Sequence, residues 1–310
     1  MPTVQTVLAS STSRVPHRYL EVLLAHVLRK PREWVLAHPE AIVRSSPSAR
    51  YRRLLRRLKQ GEPLPYLLGE AWFYGRPFTV NKHVLIPRPE TELLIELTVQ
   101  HIRGLTAHGS RLTAIDVGTG SGCIAVTLAA ELRKASIIAM DSSLSALRIA
   151  RANARRHGVG NHITFLRGNL LSPVLQNPTL FNDRGKGWDS AVLVANLPYL
   201  TTAEWRALPR SIRGYEPRQA LDGGPDGLKH FRELFRQLQT ISGGDVTPPL
   251  HSLHSLYTFT PLHLYTFLEI DPRRKRALTA LIRKTLPKWR ASWHRDLAGR
   301  WRVLEISNSS

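Results

Sequence analysis

The chain has 310 residues, 42% of them hydrophobic and 22% charged, enough to bury a core in one large domain or two smaller ones. Its 44 lysines and arginines against 23 acids leave a formal charge of +21, a field that favours acidic partners such as RNA or ribosomal particles, with arginine-rich coding bias as the plain alternative. No apolar run reaches the roughly 18 residues of a membrane span, and the single Cys123 excludes an intramolecular disulfide, which fits a reducing compartment and a cytoplasmic location.

The first 20 residues carry Arg14, His17 and Arg18 and no acid. Transit peptides share that bias, but no cleavage pattern follows and a helical pattern starts by about His17. In RYLEVLLAHVLRK, Leu20, Leu23, Leu24, Val27 and Leu28 form one helical stripe. ARYRRLLRRLKQG repeats it with Leu54, Leu55 and Leu58, and Gly61 can close that helix. The arginine pairs beside these leucines read as a solvated face, with RNA contact as the rarer alternative. Gly75 between AWFY and RPFTV predicts a β-hairpin. IPRPETELLIEL then reads as a loop leading into a helix. Pro89 suits the first turn, and Glu90 and Glu92 suit the positive end of the helix dipole.

From Leu112 strands alternate with helices. LTAIDVG, ASIIAMD, ITFLRGN and SAVLVAN read as strands, with CIAVTLAAELR and SALRIARANARRHG as helices between them. That alternation predicts a mostly parallel, doubly wound α/β sheet. The segment 243–268 carries near-repeats, HSL-HSL and YTF…YTF, and reads as a low-complexity insertion at 245–263. Its histidines lack the fixed spacing of metal ligands. TFLEID and WRVLEIS read as closing strands, with a helix from about Arg273 to Trp289 between them. The expected organisation is a helical domain at 1–70, a hairpin linker and leading helix at 71–104, and an α/β domain at 105–310.

AIDVGTGSGCIAV sets Gly118, Gly120 and Gly122 between a strand and a helix, where a ligand can approach bare backbone and free N–H groups. A glycine turn alone also suits a dinucleotide. Asp116 just ahead of it would repel a pyrophosphate but could pair with an ammonium group. Asp141 ends the next strand, where a carboxylate holds a ribose diol. A nucleoside with a cationic amino-acid tail satisfies both, which points to S-adenosylmethionine. Asn169, at the end of the third strand, offers donor and acceptor to an adenine, and Leu170 beside it would wall the ring.

VANLPYL ends the fourth strand in Asn196, Leu197, Pro198 and Tyr199. Methyl transfer to an amide or exocyclic amine must overcome a delocalised nitrogen lone pair. Two acceptors on its N–H groups, the Asn196 side-chain oxygen and the Leu197 carbonyl, would fix the nitrogen and release that pair. Pro198 stiffens the loop and Tyr199 offers a flat face. Such a transfer requires no metal; rate comes from positioning and preorganised dipoles.

VANLPYL, IDVGTGSGCIAV, FYGRPFTVNKHVLIPRPETELLIE and YEPRQALDGGPDGLKHF together resemble the HemK/PrmC family of peptide chain release factor N5-glutamine methyltransferases. EVLLAHVLRKPREWVLAHPE and GEPLPYLLGE resemble that family's helical domain, so the likeness runs from about residue 17 to the end, apart from the insertion. It implies a class I methyltransferase fold. It also implies action on the glutamine of the Gly-Gly-Gln motif in class I release factors, docked with help from the helical domain; the chain itself is expected to be a monomer. Carried over by position, Gly118, Thr119, Gly120, Ser121, Gly122, Asp141, Asn169 and Leu170 match the cofactor site, and Asn196 to Tyr199 the glutamine clamp. Three departures stand out. Leu197 replaces the usual proline, giving the Asn-Leu-Pro-Tyr also found in ribosomal RNA adenine dimethyltransferases. Asn169 stands where Asp is common. LEID replaces LEIG beyond the insertion, which puts the C-terminal hairpin in question. Two other readings remain open: the same chemistry on a ribosomal protein glutamine or an RNA adenine, and a non-catalytic ribosome- or RNA-binding protein on a decayed methyltransferase fold. The intact Asn196, Tyr199 and glycine loop oppose the second.

Overall fold

A computed structural model describes residues 1–11, 15–106, 112–133, 135–177, 182–183, 186–187, 190–242 and 263–308. Five helices open the chain: α1 (Val4–Ala9), α2 (His17–Leu28), α3 (Arg32–Ala37), α4 (Ser45–Lys59) and α5 (Leu64–Leu68). They enclose one apolar cluster that includes Val4, Leu20, Leu23, Leu24, Tyr51 and Leu54. Each leucine fully removed from water there contributes about 2 kcal/mol. The leucine stripe thus faces inward, and Arg50, Arg52, Arg53, Arg56 and Arg57 of α4 face solvent. The helical unit starts earlier than about His17. Thr3 caps α1 by accepting from Thr6 N, and Val4, Val7 and Leu8 are buried. Six residues span too few turns to show a period.

Strands β1 (Glu70–Phe73) and β2 (Arg76–Thr79) form the expected hairpin. Its turn holds Tyr74 and Gly75 at φ 50° and 69°, the left-handed pair that matches strand twist in a two-residue loop. A 3₁₀ turn over Pro89–Thr91 then leads into α6 (Glu92–Thr106).

The main sheet is built from β3 (Leu112–Val117), β4 (Ser136–Asp141), β5 (Ile163–Arg167), β8 (Ser190–Ala195), β9 (His263–Glu269), β10 (Arg290–Arg295) and β11 (Trp301–Ser307). A two-residue ribbon, β6 (Asn182–Asp183) with β7 (Lys186–Gly187), lies outside it. Helices α7 (Cys123–Glu131), α8 (Leu144–Arg156), α9 (Ser172–Gln176), α10 (Thr202–Ala207), α11 (Arg210–Arg213), α12 (Lys229–Ser242) and α13 (Lys275–Thr285) complete the chain. Strand order is β10-β11-β9-β8-β3-β4-β5. The five strands from β9 to β5 run parallel, and β11 pairs antiparallel with both β9 and β10. All six positions of β3 and of β8 are buried, which is why both read as unbroken apolar runs. One face packs against α6, α7 and the β1–β2 hairpin, the other against α12 and α13.

The C-terminal hairpin forms despite LEID. Its outer strand β10 was not anticipated, because RASWHR is mostly exposed and polar, as edge strands often are. His263, the last residue of the expected insertion, pairs with Ser190 as the first residue of β9; the HSL-HSL pair and the first YTF lie outside the described residues, and the second YTF lies within β9. Among the described residues no helix is long and apolar enough to cross a membrane. β3 sits between β4 and β8, so the connections leave it in opposite directions. The carboxyl ends of β3, β4, β5 and β8 open on one edge at that reversal, where ligands of such sheets bind.

Candidate active site

The loop after β3 is pinned from below. Gly118 N and Thr119 N both donate to the Met140 carbonyl at 2.8 Å. The Thr119 hydroxyl donates to Asp116 Oδ2 at 2.6 Å, and Ala125 N reaches the same oxygen at 3.0 Å. Above, the backbone is bare. Gly118 and Gly120 hold φ 79° and 54°, and a Cβ on either would meet nothing closer than 3.9 Å. The loop floors a cleft walled by Asp141, Asn169, Leu170, Asn196, Leu197 and Pro198. Thr119 and Ser121 line it as well. Cys123 borders it with a thiol pushed up to about 12 by burial, so no thiolate is present there at neutral pH.

Asp141 faces the cleft while Oδ2 accepts from Gly120 N at 2.9 Å and Oδ1 from Ser143 N at 2.8 Å. Burial raises its carboxyl above the ordinary range, and these N–H groups oppose the rise. A carboxylate has about four lone-pair sites, more than these backbone donors use, so a ribose hydroxyl can still bind.

Three expected residues lie off the cleft wall. Asp116 is fully buried beneath the loop, its carboxyl pushed up to about 7 by that burial. Its Oδ1 has no partner. Gly122 caps α7, and a Cβ there would come 2.9 Å from Ala150 Cβ, so it serves close packing of α7 on α8. Tyr199 sends its hydroxyl inward to Glu269 Oε1 at 3.2 Å. Bare glycine backbone, a carboxylate at the rim and an unpartnered carboxylate oxygen beneath the floor fit a cationic nucleoside such as S-adenosylmethionine.

Asn196 leaves β8 with its Nδ2 donating to Thr91 Oγ1 at 3.0 Å. The Thr91 hydroxyl donates in turn to Glu269 Oε2 at 2.5 Å. Thr91 and Glu269 are 2% and 1% exposed. Burial pushes the Glu269 carboxyl up, against the pull of its hydrogen bonds and of Arg302. Burial and the neighbouring Glu269 likewise raise the Tyr199 phenol.

The loop Asn196–Tyr199 is braced from behind by the YEPRQALDGGPDG segment. Gly223 N donates to the Leu200 carbonyl at 2.8 Å, and Thr202 N to the Gly224 carbonyl at 2.9 Å. Glu216 of the same segment accepts from Ile86 N at 3.2 Å and from Arg88 at 2.5 Å. The two stretches flanking the cleft are thereby tied together, and Arg88 borders it.

Thr91, Glu269 and Glu216 escaped the sequence reading. The Thr91 to Asn196 and Thr91 to Glu269 contacts span 105 and 178 residues, beyond any local period. A usable signal was the single acid in the apolar strand TFLEI, since a buried strand keeps a carboxylate only with partners.

Residues 4–69 match the family model described as the PrmC N-terminal domain, and residues 114–214 one described as a methyltransferase domain. The chain is 40% identical over 226 residues to the release factor glutamine methyltransferase of Nitratidesulfovibrio vulgaris, covering 73% of this chain and 72% of that one. It is 40% identical over 222 residues to that of Chlorobaculum tepidum, covering 71% and 72%. It is 36% identical over 221 residues to that of Bacillus subtilis, covering 71% and 73%. Among solved structures, the hMettl16 catalytic domain in complex with the MAT2A 3′UTR hairpin 6 superposes with a TM-score of 0.51 over 86% of this chain and 83% of that one. At 14% identity that likeness is one of fold alone. Identity of 40% across nearly three quarters of both partners exceeds what a shared fold produces, and with it the chain belongs to the release factor glutamine methyltransferase family.

Proposed function

We propose that this enzyme methylates the side-chain amide nitrogen, N5, of the glutamine in the Gly-Gly-Gln motif of class I peptide chain release factors. The observation that carries the reading is Asn196, held at the carboxyl edge of β8 with its amide nitrogen turned inward to Thr91, next to a glycine-floored cleft. Bound in that cleft, S-adenosylmethionine supplies an electrophilic methyl group on a sulfonium leaving group. Gly118, Thr119, Gly120 and Ser121 offer it open backbone, with Gly122 setting the start of α7. Asp141 takes the ribose hydroxyls, and Asn169 and Leu170 flank the adenine. Asp116 supplies negative charge beneath the amino-acid tail.

The acceptor amide is a weak nucleophile because its lone pair is shared with the carbonyl. The Asn196 oxygen and the Leu197 carbonyl accept its two N–H groups, which fixes the nitrogen and draws electron density back onto it. Pro198 restricts the loop. Tyr199 anchors the loop through Glu269. Positioning in line with the methyl group is then the main source of rate.

The helical unit at 1–70 docks the release factor, and the +21 charge suits an encounter in the cytoplasm beside acidic ribosomal particles. The test is a radiolabelled methyl-transfer assay offering a release factor, its Gly-Gly-Ala version and ribosomal RNA side by side. Label on the first alone is expected. Label on RNA would transfer the clamp to an adenine amine and overturn the reading.

A further inference from the structure

Glu269 sits inside the sheet edge and accepts two hydrogen bonds, from the Thr91 hydroxyl at 2.5 Å and the Tyr199 hydroxyl at 3.2 Å. A hydroxyl carries one proton. With that proton committed to Glu269, the Thr91 oxygen can only accept, and the amide facing it at 3.0 Å must present Nδ2. The other end of the amide, Oδ1, is left over. Turned by 180°, the amide would set two acceptors against each other with no proton between them, inside a buried pocket.

We infer that Thr91 and Glu269 are positioning residues that lock the Asn196 amide with its oxygen toward the acceptor nitrogen. An asparagine amide has two ends of nearly equal shape and opposite hydrogen-bonding sense. Only the oxygen end can accept an N–H from the substrate glutamine. The nitrogen end would oppose a donor to a donor. The Thr91–Glu269 pair breaks that symmetry before substrate arrives, which is the preorganisation catalysis requires. It also gives the Pro-Arg-Pro-Glu-Thr-Glu stretch a chemical role. That stretch brings a hydroxyl to the end of β8, and the acid of TFLEID aims it.

The inference rests on Asn196 being the glutamine clamp, so the experiment carries Asn196→Ala as a reference. Four variants are compared for kcat and KM with release factor, for S-adenosylmethionine affinity by calorimetry, and for folding by circular dichroism. Thr91→Val keeps the shape and removes the hydroxyl; its kcat is expected to fall on the order of tenfold or more, with cofactor affinity within about twofold. Thr91→Ser restores the hydroxyl and is expected to recover kcat to within about threefold. Glu269→Met removes the acceptor, freeing the Thr91 proton to meet the amide oxygen, so kcat is expected to fall although Thr91 and Asn196 are intact. Asn196→Ala is expected to be inactive.

Inactive Asn196→Ala with wild-type kcat in Thr91→Val and Glu269→Met would overturn the positioning role alone. Active Asn196→Ala would overturn the clamp reading and this inference together. A readout independent of variant folding is the wild-type side-chain amide signal of Asn196 in ¹⁵N-labelled protein. A nuclear Overhauser contact from its Nδ2 protons to the Thr91 methyl is expected, and its absence would sink the inference even where a variant does not fold.

Discussion

Gly227 passes so close to Tyr199 that a Cβ on the glycine would overlap the tyrosine carbonyl oxygen. One position before the Asn196–Tyr199 loop ends, Gly223 stands in the same relation to Pro198, with a Cβ falling 2.5 Å from its carbonyl oxygen. The DGGPDG turn is therefore a backing plate, and its lack of side chains sets how deep the clamp loop can sit. Gly227 also holds φ +75°, which L side chains rarely adopt. Gly227→Ala is expected to cost about 1–3 kcal/mol of stability. It is also expected to lower turnover more than tenfold, because the loop carrying Asn196 must shift outward. Cofactor affinity, measured by calorimetry, should change little, since the glycine floor belongs to another loop. Wild-type turnover in a folded Gly227→Ala protein would show that the loop tolerates displacement.

Asp141 carries two duties at once. It fixes the glycine loop through Gly120 N and the start of α8 through Ser143 N, and it faces the cleft. Asp141→Ala is expected to weaken S-adenosylmethionine binding about tenfold or more, since a hydrogen bond to a charged group contributes about 1.5–3 kcal/mol. Melting temperature should fall as well. Asp141→Asn separates the duties. It keeps an acceptor for one backbone N–H and removes the charge, so it should melt closer to the wild type yet still bind cofactor weakly. Unchanged affinity in both variants would remove Asp141 from the ribose.

Much of this fold was legible because its signals are local. The apolar runs of β3 and β8, the helical stripe of α2 and the two-residue turn at Tyr74–Gly75 each declare themselves within about ten residues. The same holds for the cleft, since the chain ends its parallel strands in Asp141, Asn169 and Asn196 on one edge. What stayed hidden is relational. Nothing near Thr91 says that its hydroxyl reaches Asn196 or that Glu269 aims it. Asp116 was legible as an acid near the glycine loop, but its place beneath the loop depends on α7 stacking over it. β10 was missed for the opposite reason: at the sheet edge a strand needs no apolar pattern.

Arg88 and Glu216 join the two stretches that flank the cleft. The Glu216 side chain is 1% exposed and that of Arg88 33%. Removing the cation leaves a buried carboxylate whose remaining hydrogen bond among the described residues is from the Ile86 N–H. Arg88→Ala is expected to destabilise the protein by about 2 kcal/mol or more, read from urea melts. The double variant Arg88→Met with Glu216→Gln removes the stranded charge and should recover part of that loss. A destabilisation under about 0.5 kcal/mol would mean that water already solvates the pair.

Asp116 makes the fold itself sensitive to pH. Its folded-state pKa, raised by burial to about 7, lies above the ordinary 3.8. Between those values the folded protein binds a proton that the unfolded chain does not, so stability falls as pH rises through the window and levels off above it. The difference amounts to on the order of 4 kcal/mol, from about 1.4 kcal/mol per pH unit. Asp116→Asn keeps the acceptor used by Thr119 and Ala125 and cannot ionise. The gap in stability between variant and wild type should therefore widen in the variant's favour from about pH 4 to pH 7, then hold constant. Urea melts across that range measure it, and a gap that does not change with pH would show that Asp116 is ionised throughout. Repeating the melts with saturating S-adenosylmethionine tests the proposed charge pairing. An ammonium group above the loop favours the carboxylate, so bound cofactor should narrow the window, and binding to the wild type should tighten as pH rises through about 7. In Asp116→Asn the affinity should show no such rise.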